Sequence, residues 1–192
     1  MRPNPLNDAV HFLTQPGWFT PVFWVLLLAS IAVAVLVWRR QPAQRTPHSA
    51  GLWVLRVLTG SMWWQQSLWK IPPNFDGLKY WMQQEADHAA IMLQGNLVRD
   101  VVLPNLNLFG PLVYLVEVCI GVSLLLGLLA RAGAVLGLLM AVNLWLGLYS
   151  APGEWPWTYM FLVIIQALFI LDPPGRVLGV DALLPTRPVW VS

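Results

Sequence analysis

Residues 52–70, LWVLRVLTGSMWWQQSLWK, are long and apolar enough to cross a bilayer, yet they include Arg56, Gln65, Gln66 and Lys70. Charge inside hydrocarbon is costly, so such side chains face a bundle interior, a cavity or the membrane interface. At about 100° per residue, a helix puts Arg56, Gly60, Trp63, Ser67 and Lys70 on one face. Gln66 falls beside that face and Gln65 opposite it. The rest of the chain must supply the helices that cover it.

Composition agrees with a membrane bundle. Of 192 residues, 57% are hydrophobic and 10% charged, against roughly 25% charged in soluble domains. Twelve tryptophans add weight, because Trp collects at membrane–water boundaries. The expected partner surface is therefore the lipid bilayer. No basic cluster stands outside the membrane flanks, so nucleic acid is excluded as a partner. Cys119 is the single cysteine, which rules out an internal disulfide or a C-x-x-C pair. His11, His48 and His88 all lie outside the apolar runs, so no bis-histidine haem is expected. No H-E-x-x-H, Walker loop or G-x-G-x-x-G occurs, and no metal site is predicted.

Read in order, residues 1–16 are polar with three prolines and predict a short outer tail. Trp18 to Trp38 is about the length a spanning helix needs. Arg39, Arg40 and Arg45 follow this run rather than preceding it, so it reads as a retained helix ending in the cytoplasm. A second span, about 51–71, runs outward and stops at Pro72-Pro73. Residues 74–107 form a long outer connection in which Leu78, Trp81, Met82, Ala86 and Ala89 recur at three- and four-residue steps. That spacing predicts amphipathic helices capping the bundle, interrupted near Gly95 and ended by Pro104. Third, fourth and fifth spans are expected at about 108–130, 132–150 and 157–171. Inner segments then hold Arg39, Arg40, Arg45, Arg131, Arg176 and Arg187, and outer ones Arg2, Lys79 and Arg99. The excess of arginine inside predicts five spans with the amino terminus out and the carboxyl terminus in.

Each inner helix carries a polar residue at similar depth. Glu117 and Asn143 fall within a turn of the midplane and Gln166 near the middle; Gln66 lies roughly 6 Å further out by helix rise. Each needs a partner in a medium that offers none. Helical side chains lean toward the helix N-terminus. Lys70 and Glu117, on antiparallel spans, therefore incline toward each other, while Arg56 inclines away and is expected to snorkel. Asn143 and Gln166 serve equally well as packing hydrogen bonds between helices. Gly133 and Gly137 make a G-x-x-x-G pair suited to close helix approach.

Arg56-x-x-x-Gly60 followed by Lys70 resembles the first core helix of the DoxX family. Glu117-x-x-x-Gly121, with Leu126-Gly127-Leu128-Leu129-Ala130-Arg131-Ala132, resembles that family's E-x-x-x-G-x-x-L-x-x-G-L-x-x-R segment. The resemblance implies an all-α, four-helix membrane core over residues 50–175. It is preceded by residues 1–49, with an added first helix, and followed by a cytoplasmic tail, 176–192. It also implies the cytoplasmic membrane of a prokaryote. The long outer segment and the tryptophans resemble the DoxD-type small subunits of thiosulfate:quinone oxidoreductase. Two functions follow. In one, the chain is a membrane subunit of a quinone-linked oxidoreductase, with other membrane or periplasmic redox subunits as partners. Lys70, Gln66 and Asn143 would then donate to a quinone, Trp63 would give its ring a face, Gln166 would bound the site, and Glu117 would relay protons. In the other, it is a non-enzymatic accessory or anchor of a redox complex.

Overall fold

The computed structural model describes residues 4–184, all of whose regular structure is helical. Arg2, Arg187 and the end of the expected tail lie outside the described residues. The first correction comes at once. The segment read as a short outer tail contains helix α1 (Pro5–Thr14), capped by Asn4, whose Oδ1 accepts the Leu6 N–H at 3.0 Å. Its apolar side turns inward, with Phe12 edge-on to Phe23 at 4.9 Å between ring centroids. The signal was present: Pro5 at the first position after an Asn cap starts helices well.

Helix α2 (Phe19–Arg40) follows, then α3 (Pro47–Ser67), which holds the polar face. Arg56, Gly60, Trp63, Ser67 and Lys70 are all buried, the last in a 3₁₀ turn continuing α3. Pro72-Pro73 is cis. Helix α4 (Asp76–His88) packs Leu78, Met82 and Ala86 on Val98, Val102, Leu103 and Leu106. The chain turns at Ala89–Ile91 and re-enters helix as α5 (Met92–Leu97).

Here the expected boundary fails. Neither Gly95 nor Pro104 ends the helical run. Gly95 sits inside α5, packed on the Ala86 carbonyl, where a Cβ would stand 2.8 Å from that oxygen. A π-helical turn (Val98–Val102) and a 3₁₀ turn (Leu103–Asn105) carry the chain past Pro104 into α6 (Leu106–Leu126). Changing the hydrogen-bond register lets a helix absorb a proline without stopping. α4 and α5 therefore form a helical hairpin, not a flat cap.

α6 ends at Gly127, whose φ of 66° is the left-handed conformation that closes helices. α7 (Ala130–Gly147) and α8 (Pro156–Leu171) complete the bundle. Three helical runs are long and apolar enough to cross a membrane: α2, Met92–Leu126 and α7. α8 is apolar but shorter, and α3 matches them in length with more polar side chains. α3 lies along α6, and α8 along α7. The crossing of α3 and α6 is set by Gly60 and Gly121: a Cβ on Gly60 would lie 2.8 Å from the Leu125 amide nitrogen. The pair Gly133 and Gly137 admits different neighbours, Ser123 of α6 and Gln166 of α8.

Arg56 does not snorkel. It is fully buried and donates to the carbonyls of Leu124 at 2.6 Å, Leu125 at 3.1 Å and Leu178 at 3.2 Å. The last carbonyls of a helix lack intrahelical donors and carry its negative dipole end. They draw the guanidinium inward more strongly than the distant interface does. Residues 172–184 likewise pack on the bundle instead of trailing away. Asp181 accepts the backbone N–H groups of Leu129 at 2.8 Å and Ala130 at 3.0 Å, capping α7 from a distance in sequence. Gln44 and Gln41 of the α2–α3 turn bind the Arg176 and Ala182 carbonyls.

Candidate functional site

At the Lys70 end of the bundle, α3, α4, the α5–α6 run, α7 and α8 surround a cavity of about 610 Å³. Five of the six expected residues line it: Trp63, Gln66, Lys70, Glu117 and Asn143. Gln166 does not. It is sealed between α7 and α8 against Gly137, and neither of its amide atoms has a hydrogen-bond partner.

Lys70 owes its place to the 3₁₀ turn after α3, which buries it. Its Nζ donates to Glu117 Oε1 in a buried ion pair and stands 4.4 Å over the Trp69 ring. The antiparallel run of α3 and α6 brings the two side chains together. Glu117 Oε2 is left without a partner, as is the indole N–H of Trp63. A buried carboxylate oxygen with no donor is costly, and Glu117 stands in the cavity wall. Gln66 is exposed at the rim, its Oε1 accepting the Trp69 indole N–H at 3.2 Å.

A second polar group lies opposite. Asn143 Nδ2 donates to Glu85 Oε2 at 3.3 Å, and Gln94 Nε2 donates to both the Asn143 side-chain and main-chain oxygens at 3.0 Å. Gly147 makes room for this cluster, since a Cβ there would stand 2.9 Å from Glu85 Cγ and 3.1 Å from Gln94 Nε2. The turn between α4 and α5 is pinned to α7 by the Ala90 N–H on the Leu146 carbonyl, at 2.8 Å. Glu85 is 3% exposed. Burial pushes its carboxyl up to about 7, against the opposing pull of the Asn143 hydrogen bond and the Lys70 charge.

Sequence reading placed Glu85 on a surface cap and so missed it. The signal lay in the stripe itself: Glu85 stands one heptad after Leu78 and three residues after Met82, on the apolar face. A carboxylate in an otherwise apolar stripe marks a site or a partner.

Toward the rim, Tyr159 donates to Glu154 Oε2 at 2.7 Å. α3 and α8 border the cavity through Met62 and Leu162 without packing substantially on each other. The lining is mostly apolar, with one lysine and three glutamates. Such a chamber suits a flat apolar molecule carrying a few hydrogen-bond acceptors.

No curated protein and no solved structure matches the chain significantly. A family model does, that of DoxX, over residues 51–150. The match runs from the start of α3 past the end of α7 and takes in Lys70, Glu85, Glu117 and Asn143, while Gln166 lies beyond it. It spans more than half of the 192 residues, and with it the Lys70–Glu117 pair and the Glu85–Asn143 contact: the chain belongs to the DoxX family.

Proposed function

We propose that the protein is an integral membrane subunit of a quinone-linked oxidoreductase, and that its own part is to seat a quinone headgroup in this cavity. The observation that carries the reading is the buried Lys70–Glu117 pair in the wall of a largely apolar chamber, with Glu117 Oε2 unpaired. A quinone offers two carbonyl acceptors on a flat ring; bound, it would supply two-electron chemistry accompanied by proton uptake. Lys70 has N–H groups beyond the one given to Glu117. Asn143 and Gln66 add amide donors, and Trp63 an aromatic face and an unused N–H. Glu117 holds or releases a proton at Oε2 beside the Lys70 charge. Electrons come from a partner subunit, because a chain with one cysteine, and with His48 at the very start of α3 as the one histidine of its spanning helices, has little to hold them. A DoxD-type partnership, with thiosulfate as the donor, is one form this takes.

The reading includes a membrane arrangement. All of α2, α3, α6, α7 and α8 span, the amino terminus is outside, and the cavity lies in the outer half of the cytoplasmic membrane of a prokaryote. Arginine placement supports this orientation. The membrane domain proper is residues 50–175.

The test is extraction followed by substitution. Protein purified from native membranes should yield a quinone on solvent extraction, and Glu117→Gln should lower quinone-linked turnover of the copurified complex by at least tenfold. Full turnover in the variant removes Glu117 from the mechanism. If neither copurified nor added ubiquinone-1 binds, the quinone reading is wrong, and an anchoring role in a redox complex replaces it.

A further inference from the structure

The cavity is lined by Glu85, Glu117 and Glu154 but by a single cation, Lys70, already committed to Glu117. With every group ionised the chamber would hold a net negative charge in a medium that solvates it poorly. A proton kept on one carboxyl lowers that charge, and geometry selects which. Glu117 has the ammonium. Glu154 sits at the half-buried rim, where it accepts from Tyr159. Glu85 is buried, and its one side-chain hydrogen bond comes from the neutral amide of Asn143.

We infer that Glu85 is a second proton-exchanging carboxyl of the cavity: in its acid form it donates a hydrogen bond to the ligand's carbonyl oxygen, and it trades that proton with water at the rim. The inference rests on the quinone reading. It assigns a second acid beside the Lys70–Glu117 pair, on the opposite wall. As electrons from the partner subunit reduce the ligand, its oxygen becomes basic and takes the Glu85 proton: the O–H bond broken at Glu85 is replaced by one on the reduced ligand, leaving Glu85 a carboxylate. A water proton arriving from the side of Glu154 and Tyr159 restores the acid.

The groups facing Glu85 are few. Lys70 comes from the turn after α3, Glu117 from α6, Glu154 from the α7–α8 loop and Tyr159 from α8. α5 and α7 present only the amides of Gln94 and Asn143. On α4 itself, Asp87 is exposed and paired with Arg99 at 2.9 Å. The upward displacement of the Glu85 carboxyl, to about 7, is in keeping with a proton retained near neutrality.

The experiment is the dissociation constant of ubiquinone-1 from the purified full chain between pH 5 and pH 9. Wild type should bind with constant affinity at low pH and weaken above about pH 7, by up to about tenfold per pH unit. Glu85→Gln, which donates at every pH, should bind without that step. Glu85→Asp keeps an acid and should restore a step at a displaced midpoint, which a purely structural role would not produce. Should either variant fail to fold, wild type alone decides: a protonated-carboxyl infrared band must titrate near pH 7 and shift on adding ubiquinone-1. A step that survives in Glu85→Gln but disappears in Glu117→Gln overturns the inference and leaves the quinone reading standing. The absence of any band or step in a protein that binds ubiquinone-1 does the same. No binding at any pH overturns both.

Discussion

Four buried ionisable side chains do three different things here. Lys70 and Glu117 satisfy one another across antiparallel helices, an arrangement that helix direction alone made legible. Arg56 satisfies the end of a helix instead. Its acceptors are backbone carbonyls, one of them at Leu178, and neither residue spacing nor hydropathy announces such a contact. Glu85 has no countercharge in contact, and this gives it a measurable signature. Its folded carboxyl titrates near 7 against an ordinary value of 4.5, so between those values the folded state binds more protons than the unfolded one. Stability then falls as pH rises. The contribution of Glu85 is fully present below about pH 4.5, declines through the window, and levels off above about pH 7. Thermal unfolding in detergent should show it as the difference between wild type and Glu85→Gln, whose melting temperatures should diverge progressively over that interval. A constant offset between the two proteins would mean that Glu85 does not titrate there.

At the scale of elements, long apolar runs were easy to find and their irregularities were not. α2, α6 and α7 stand where hydropathy put them, whereas α1 was hidden by its prolines and the α4–α5 hairpin by a glycine and a proline read as breaks. A proline ends a helix only if the register cannot adjust, and the π-helical turn before Pro104 is such an adjustment. The α3–α6 crossing carries the site, because it fixes Lys70 against Glu117. At Gly60 the obstacle to a larger side chain is the Leu125 backbone at 2.8 Å, which cannot rotate aside. Gly60→Val should therefore destabilise at the upper end of the roughly 1–3 kcal/mol typical of overpacking. It should also weaken ubiquinone-1 binding by spreading the two helices. Gly51→Ala, near the start of α3 with nothing within 4 Å of its Cβ, is the matched control. It should be neutral or slightly stabilising, since alanine is the better helix former. Equal losses in both variants would show that any change in α3 is harmful and that the crossing has no special part.

For the whole molecule, composition alone made a membrane bundle legible, because so few charged residues leave no soluble alternative. The number of crossings is harder, since it depends on α3 and α8. α3 is too polar and α8 too short to declare themselves by hydropathy, yet each lies along a neighbour that can span. The two arrangements differ in one testable respect. If only α2, the Met92–Leu126 run and α7 cross, the α2–α3 turn and α4 lie on the same side of the membrane. If α3 crosses as well, they lie on opposite sides. Ala43 and Gln83 are exposed positions on these two segments and make no side-chain hydrogen bonds. The native thiol at Cys119 is itself exposed on α6 and must first be replaced by serine. In that background, Gln83→Cys in intact cells should react with an impermeant maleimide, and Ala43→Cys should react only after the membrane is opened. Labelling of both from outside, or of neither, would remove the α3 crossing and leave α3 a helix packed within the bundle without traversing it. Labelling of Ala43→Cys alone would keep the α3 crossing and invert it, moving the cavity to the cytoplasmic half.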